Sequence, residues 1–196
     1  FMRKNDSALD FLGFYGDPLQ NGNDRAIYFA PQQRITPLPL TYNTTDQNSF
    51  VFDFTFEPGQ QADSIRVKEN TDQDFEADAW GEMTTPLGTF QVIRLKETSI
   101  TTDSTWIYTM GSPMLVDNGK DTTYSYSFWS NDQAAKFPLV EYDYDPATQE
   151  IAGDITWLKT APTSSLDKVE KAAFSLFPNP ATHALQITTS QKLKKY

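Results

Sequence analysis

The sequence predicts an all-β chain: an antiparallel β-sandwich or flattened barrel of about eight to ten strands, followed by a short C-terminal tail. Three observations carry that expectation. Phe50, Phe52, Phe54 and Phe56 alternate with Val51, Asp53, Thr55 and Glu57, the period of two that puts four rings on one face of a strand. Runs rich in β-branched and aromatic residues recur along the chain, separated by Pro58-Gly59, Pro86-Leu87-Gly88, Asn118-Gly119 and Asp145-Pro146, which are turn signals. No window in the first 162 positions repeats its apolar residues at the helical period.

Taken in order, residues 1–45 contain Pro18, Pro31, Pro37 and Pro39 and read as irregular segments and edge strands, because proline donates no ladder hydrogen bond. Within them, 26–30 is a strand. After 50–56, the segments 64–69 and 73–84 form a hairpin around Asn70-Thr71-Asp72. Its register sets Val67 against Phe75 and Ile65 against Ala77 in the core, with Lys68 against Asp74 and Arg66 against Glu76 outside. The next strand, 89–99, returns through Pro86-Leu87-Gly88. Gly81 then faces Ile93 and Ala79 faces Leu95 inside, while Trp80 lies beside Arg94 and Asp78 beside Lys96 on the wet face. Strand 104–110 carries Trp106, Tyr108 and Met110 as a core stripe, and Asp117-Asn118-Gly119-Lys120-Asp121 is a hairpin turn. Strands 122–130, 138–145 and 151–159 complete the domain, with Trp157 and Ile155 in the core. The small and polar Ala161-Pro162-Thr163-Ser164-Ser165 ends it. Residues 1–162 are therefore one antiparallel domain. Residues 163–173 form a linker in which Ser164 or Ser165 caps a short helix bearing Leu166, Val169 and Ala173.

Composition removes several classes of chemistry. With 196 residues the chain is long enough for its own core, and with no cysteine it has no thiol catalysis, cysteine-type zinc site or disulfide. His183 is the single histidine, so a Ser-His-Asp triad, a two-histidine metal site or a histidine general base would all have to run through that one residue. No run approaches the ~20 apolar residues of a membrane span. The chain opens Phe1-Met2-Arg3-Lys4 without an apolar signal stretch, as a mature or trimmed form does. A net charge of −10, with the basic residues scattered among carboxylates, argues against nucleic acid. Charge is uneven, however: 163–196 hold Lys168, Lys171, Lys192, Lys194 and Lys195 against Asp167 and Glu170.

Among candidate site residues, Trp80 and Trp129 stand out. Trp129 is out of phase with Tyr124, Tyr126 and Phe128, so alternation puts it on the wet face, as it does Trp80 and Arg94. An exposed indole framed by polar groups is suited to stacking on the C–H face of a sugar. Glu82 and Glu141 are the pair nominated for two-carboxylate glycoside hydrolysis, which needs neither histidine nor cysteine. Asp143 and Asp145 are the metal candidates, which leaves calcium as the one cofactor under consideration. Asp72, Asp74, Glu76 and Asp78, all on one face, read instead as a solvated ladder opposite Arg66, Lys68 and Lys96.

The tail adds a destination. Phe174-Ser175-Leu176-Phe177-Pro178-Asn179-Pro180-Ala181, followed by Leu185-Gln186-Ile187, resembles the opening of the C-terminal sorting domain of the type IX (Por) secretion system of Gram-negative bacteria. In that family an aromatic precedes Pro-Asn-Pro and a short spacer leads into a Leu-x-Ile strand; Phe177, Pro178, Asn179, Pro180, Leu185 and Ile187 match it. The family's later strand pair has no counterpart, so 174–196 is a partial sorting domain. The resemblance implies the type IX machinery as partner and a secreted or outer cell-surface location. Ala77-Asp78-Ala79-Trp80-Gly81 with Thr85-Pro86-Leu87-Gly88-Thr89-Phe90 resembles the central hairpin of uncharacterised extracellular β-domains, which brings no activity with it. The functional expectation is a non-enzymatic surface module that binds glycan or another envelope component through aromatics. A two-carboxylate hydrolase and a purely structural domain are the alternatives.

Overall fold

A computed structural model of the chain describes residues 1–17, 24–58, 62–135 and 137–159, and the backbone of 174–177 and 186–189. It is all-β, with no helix among the described residues. Two units divide the chain, Phe1–Ala161 and Pro162–Tyr196. In the first, β1 (Met2–Lys4), β2 (Ala8–Gly16) and β3 (Arg25–Pro37) form a three-stranded antiparallel sheet in sequence order. Six further strands form an antiparallel meander, also in sequence order: β4 (Thr45–Phe56), β5 (Ser64–Thr85), β6 (Gly88–Thr109), β7 (Ser112–Trp129), β8 (Val140–Asp145) and β9 (Glu150–Trp157). In the second unit β10 (Phe174–Phe177) pairs antiparallel with β11 (Gln186–Thr189), Leu176 opposite Ile187. Pro178, Asn179, Pro180, Leu185 and the expected 163–173 helix lie outside the described residues.

The two sheets of the first unit form a sandwich-like arrangement. The phenylalanine alternation holds: Phe50 is buried, Phe52, Phe54 and Phe56 are half-buried, and Asp53, Thr55 and Glu57 are exposed. Phe29 of β3 lies 5.4 Å from Phe50 and 5.9 Å from Phe52, ring centre to ring centre, which joins the small sheet to β4. Further along, Phe75, Ala77 and Leu95 form a buried cluster. Between the sheets lies a polar layer. Gln73, fully buried, accepts from Asn48 Nδ2 at 3.0 Å and donates Nε2 to Glu97 at 2.7 Å and to the Arg34 carbonyl at 3.2 Å. Arg34 in turn donates to Asp46 and flanks the buried Asp10, which accepts from Arg3 at 3.0 Å. Such a layer fixes register, since a buried amide left without partners costs about 1–3 kcal/mol.

Several expectations about turns are corrected. Asn70-Thr71-Asp72 is not a loop, because β5 runs unbroken for 22 residues. Thr71 and Gln73 occupy core-facing positions, Thr71 sharing a 2.9 Å hydroxyl hydrogen bond with Thr101. A three-residue loop and a continuous strand give residues 65, 67, 75 and 77 the same parity, so alternation did not distinguish them. Asp117–Asp121 likewise lies inside β7, with Gly119 opposite Asp103. A Cβ at Gly119 would stand 2.7 Å from the Asp103 carboxylate, so glycine serves close approach there and no turn. The first 45 residues supply a regular sheet in place of irregular wrapping. Met110, Ile155 and Trp157 are exposed, not core. The acidic face is partnered differently too: Asp72 and Asp74 accept from Ser49 and Gln47, each at 2.6 Å, and Arg66 pairs with Asp53.

Candidate functional site: a two-tryptophan hollow

The site begins with a register shift. The turn closes one residue tighter than the sequence suggests, with Thr85 opposite Gly88 across Pro86-Leu87, so Trp80 pairs with Ile93, one residue off the expected partner. Asp78 is the extra residue of a bulge between Ala77 and Ala79. A bulge sets two residues against one and so resets which side chains share a face. Because Ile93 also pairs with Trp129, the row Trp80, Ile93, Trp129 crosses three strands on the face towards the small sheet. Arg94 lies on the opposite face.

Around that row is an open, mainly apolar hollow of about 900 Å³, completed by Leu9, Leu38 and Leu40 from the chain around the small sheet. Its size suits a small-molecule or oligosaccharide site. Leu38 N–H donates to the Ser7 carbonyl at 2.8 Å, and Asn43 N–H and the Thr44 carbonyl both bond Ala77, next to the bulge. Those bonds hold the Leu38–Leu40 wall in place. Trp80 is 70% exposed. Trp129 is half-buried, packs on the Phe75–Ala77–Leu95 cluster and donates its indole N–H to Ser127 Oγ at 2.9 Å. One indole is thus a packed wall and the other an exposed one. Polar side chains rim the opening: Lys4, Gln91, Asn131 and Gln133. The loop carrying the last two is anchored by Ala135 and Leu139, buried with Phe90 and Val92 behind the sheet.

Arg94 does not join the tryptophans. Its guanidinium donates to both Asp78 oxygens, at 2.8 and 3.0 Å, and lies 4.7 Å from the Tyr126 ring centre. The Asp78 hydrogen bonds, more than any other contact, hold its pKa above the usual arginine value. On that outer face Tyr126 also meets Tyr142 at 5.7 Å and Tyr144 at 5.5 Å.

The carboxylate candidates are dispersed. Glu82 sits opposite Gln91, whose amide donates to it at 3.3 Å, at the margin of the hollow. Glu141 sits on β8 opposite Ser127. Strand spacing and rise place the two on the order of 20 Å apart, far beyond the ~5–9.5 Å of paired glycosidase carboxylates. Glu141 is exposed by surface area, yet partial desolvation by its neighbours first, and then the charges of Glu97 and Asp143, push its carboxyl above the usual range. Asp143 lies opposite Ser125, while Asp145 turns inward on its own hairpin, accepting from Ala147 N–H at 2.8 Å. Among the described residues no group of three or more histidine, cysteine or acidic side chains is placed to hold a metal ion. Sequence reasoning missed Leu9, Leu38, Leu40 and the amide rim. Only the Leu38-Pro39-Leu40 run gave a signal, as apolar residues in a stretch otherwise read as irregular. Comparison with known protein families, characterised proteins and solved structures finds no match to this chain.

Proposed function

We propose that the chain is a non-enzymatic binding module whose hollow takes a sugar ring of a glycan. The observation that carries the reading is the row Trp80, Ile93, Trp129, in which two indoles line one hollow with a small apolar floor between them. A pyranose presents C–H groups on its faces and hydroxyls at its edge. Indole faces meet the first, and the amides of Gln91, Asn131 and Gln133 meet the second. The wide separation of Glu82 and Glu141 favours binding over hydrolysis, and the exposure of Trp80 is wasted in a purely structural domain. The resemblance of the tail supports export by the type IX machinery to the outer surface of a Gram-negative cell, where such a ligand is met.

Titration with a panel of soluble glycans, read by tryptophan emission and calorimetry, tests this. Trp80→Ala is expected to weaken binding about tenfold, the equivalent of ~1.4 kcal/mol of stacking, without lowering Tm, because the ring is largely solvent-exposed. Emission and heat that no glycan alters would overturn the reading.

A further inference from the structure

The far end of the large sheet is built differently from the end that holds the hollow. There β6 and β7 turn through Met110-Gly111, and positions 104–116 contain no charged residue in a chain that is 21% charged. Met110 is 94% exposed, Met114 60% and Leu115 51%, with Val116 exposed beside them. Apolar groups occupy both faces of this hairpin. Met114 ends the row Phe56, Ile65, Ile107, Met114 on one face, while Leu115 lies opposite Trp106 on the other. Trp106 stands level with Leu115 and Tyr108 opposite Pro113, so both rings flank the apolar side chains behind Met110.

We infer that this hairpin tip docks into the interface of a lipid bilayer with electrically neutral headgroups. A partner or second copy that packs flat on the sheet covers one face of a strand pair and leaves the other wet. A tip apolar on both faces and at its turn matches a medium that closes round it. Trp and Tyr among apolar side chains, four and two residues back from Met110, match the boundary layer, where amphipathic rings settle. Nearby charges set both depth and lipid class. Arg66 is already paired with Asp53 and lies 5.6 Å from the Trp106 ring centre. Asp63 accepts the Gly111 N–H at 2.9 Å and Asp117 ends the uncharged run, so carboxylates stop the tip at headgroup level. With a net charge of −10, the chain is repelled by anionic lipid. The docking is independent of the glycan hollow.

The test is cosedimentation of the full chain with phosphatidylcholine vesicles, alongside the double variant Met110→Asp/Met114→Asp. Both side chains are solvent-exposed, and circular dichroism checks that the variant folds. The inference expects partitioning of the parent chain, a loss of about tenfold or more in the variant, and weaker partitioning when phosphatidylglycerol replaces phosphatidylcholine. Glycan titration of the variant should be unchanged. No partitioning on phosphatidylcholine, or equal partitioning of the variant, overturns it. So does a dimer of the parent chain that the variant abolishes in the absence of vesicles, which would identify the tip as a contact between copies.

Discussion

The two faces of the large sheet at neighbouring positions 93 and 94 carry aromatic residues of similar bulk and use them in opposite ways. On the outer face Tyr126, Tyr142 and Tyr144 lie against one another and under a guanidinium fixed by Asp78. Those rings are satisfied by their neighbours. On the inner face Ile93 separates Trp80 from Trp129, and the small sheet and its flanking chain stand back far enough to leave the hollow. Aromatic content alone therefore does not mark a site. What marks it is a largely exposed indole lining an apolar hollow.

The sharpest way to break the contrast is at the support of the inner face. Leu95 is fully buried beneath Trp129, and Leu95→Ala is expected to cost about 2–5 kcal/mol by leaving a cavity, read as a lower denaturant midpoint. Trp129 should then lose its fixed orientation and its emission should shift to the red, whereas the tyrosine side should be little altered.

Deleting Asp78 acts on the other face. Without the bulge residue, Ala79 still meets Arg94 and Trp80 still meets Ile93, so the hollow should persist and acrylamide quenching of Trp80 should be unchanged. Arg94 loses two charge-assisted hydrogen bonds in a partly exposed setting, for which about 1 kcal/mol is expected in chemical denaturation.

The smallest effect concerns Glu141. Its folded-state pKa is raised, so the native chain holds that proton more tightly than the unfolded chain, and stability falls as pH rises from the ordinary 4.5 through the raised value. Glu141→Gln should therefore give a modest gain in Tm at neutral pH. That gain should vanish below about pH 4.5, as thermal melts across pH would report.

Much of the fold was legible. The phenylalanine alternation, the Pro86-Leu87-Gly88 turn and the absence of a helical period each led to the right element type, because all three are local. The failures were local signals overruled by long-range pairing. Asn118-Gly119 is a strong turn signal, yet β6 supplies ladder partners for it, and the Asp103 carboxylate lies close against Gly119. The break at Asn70 was inferred from polarity, and the Arg34, Asn48 and Glu97 partners that let a glutamine lie buried at position 73 come from other strands.

The site divides in the same way. Sequence alone determined that Trp129 is out of phase with Tyr126 and Phe128, since side-chain parity along one strand is a property of the backbone. It also determined which residues are aromatic, uncharged or acidic. Tertiary structure alone decided which parity faces the small sheet, and it reversed the expectation: Trp129 points inward to the hollow and the tyrosines outward. It also decided that Trp80 joins Trp129 while Arg94 does not. The physical reason is register between strands: the two-residue turn at Pro86-Leu87 sets Trp80 against Ile93, and the extra residue at Asp78 leaves Ala77 on that same face, so counting by twos along β5 does not place Trp80.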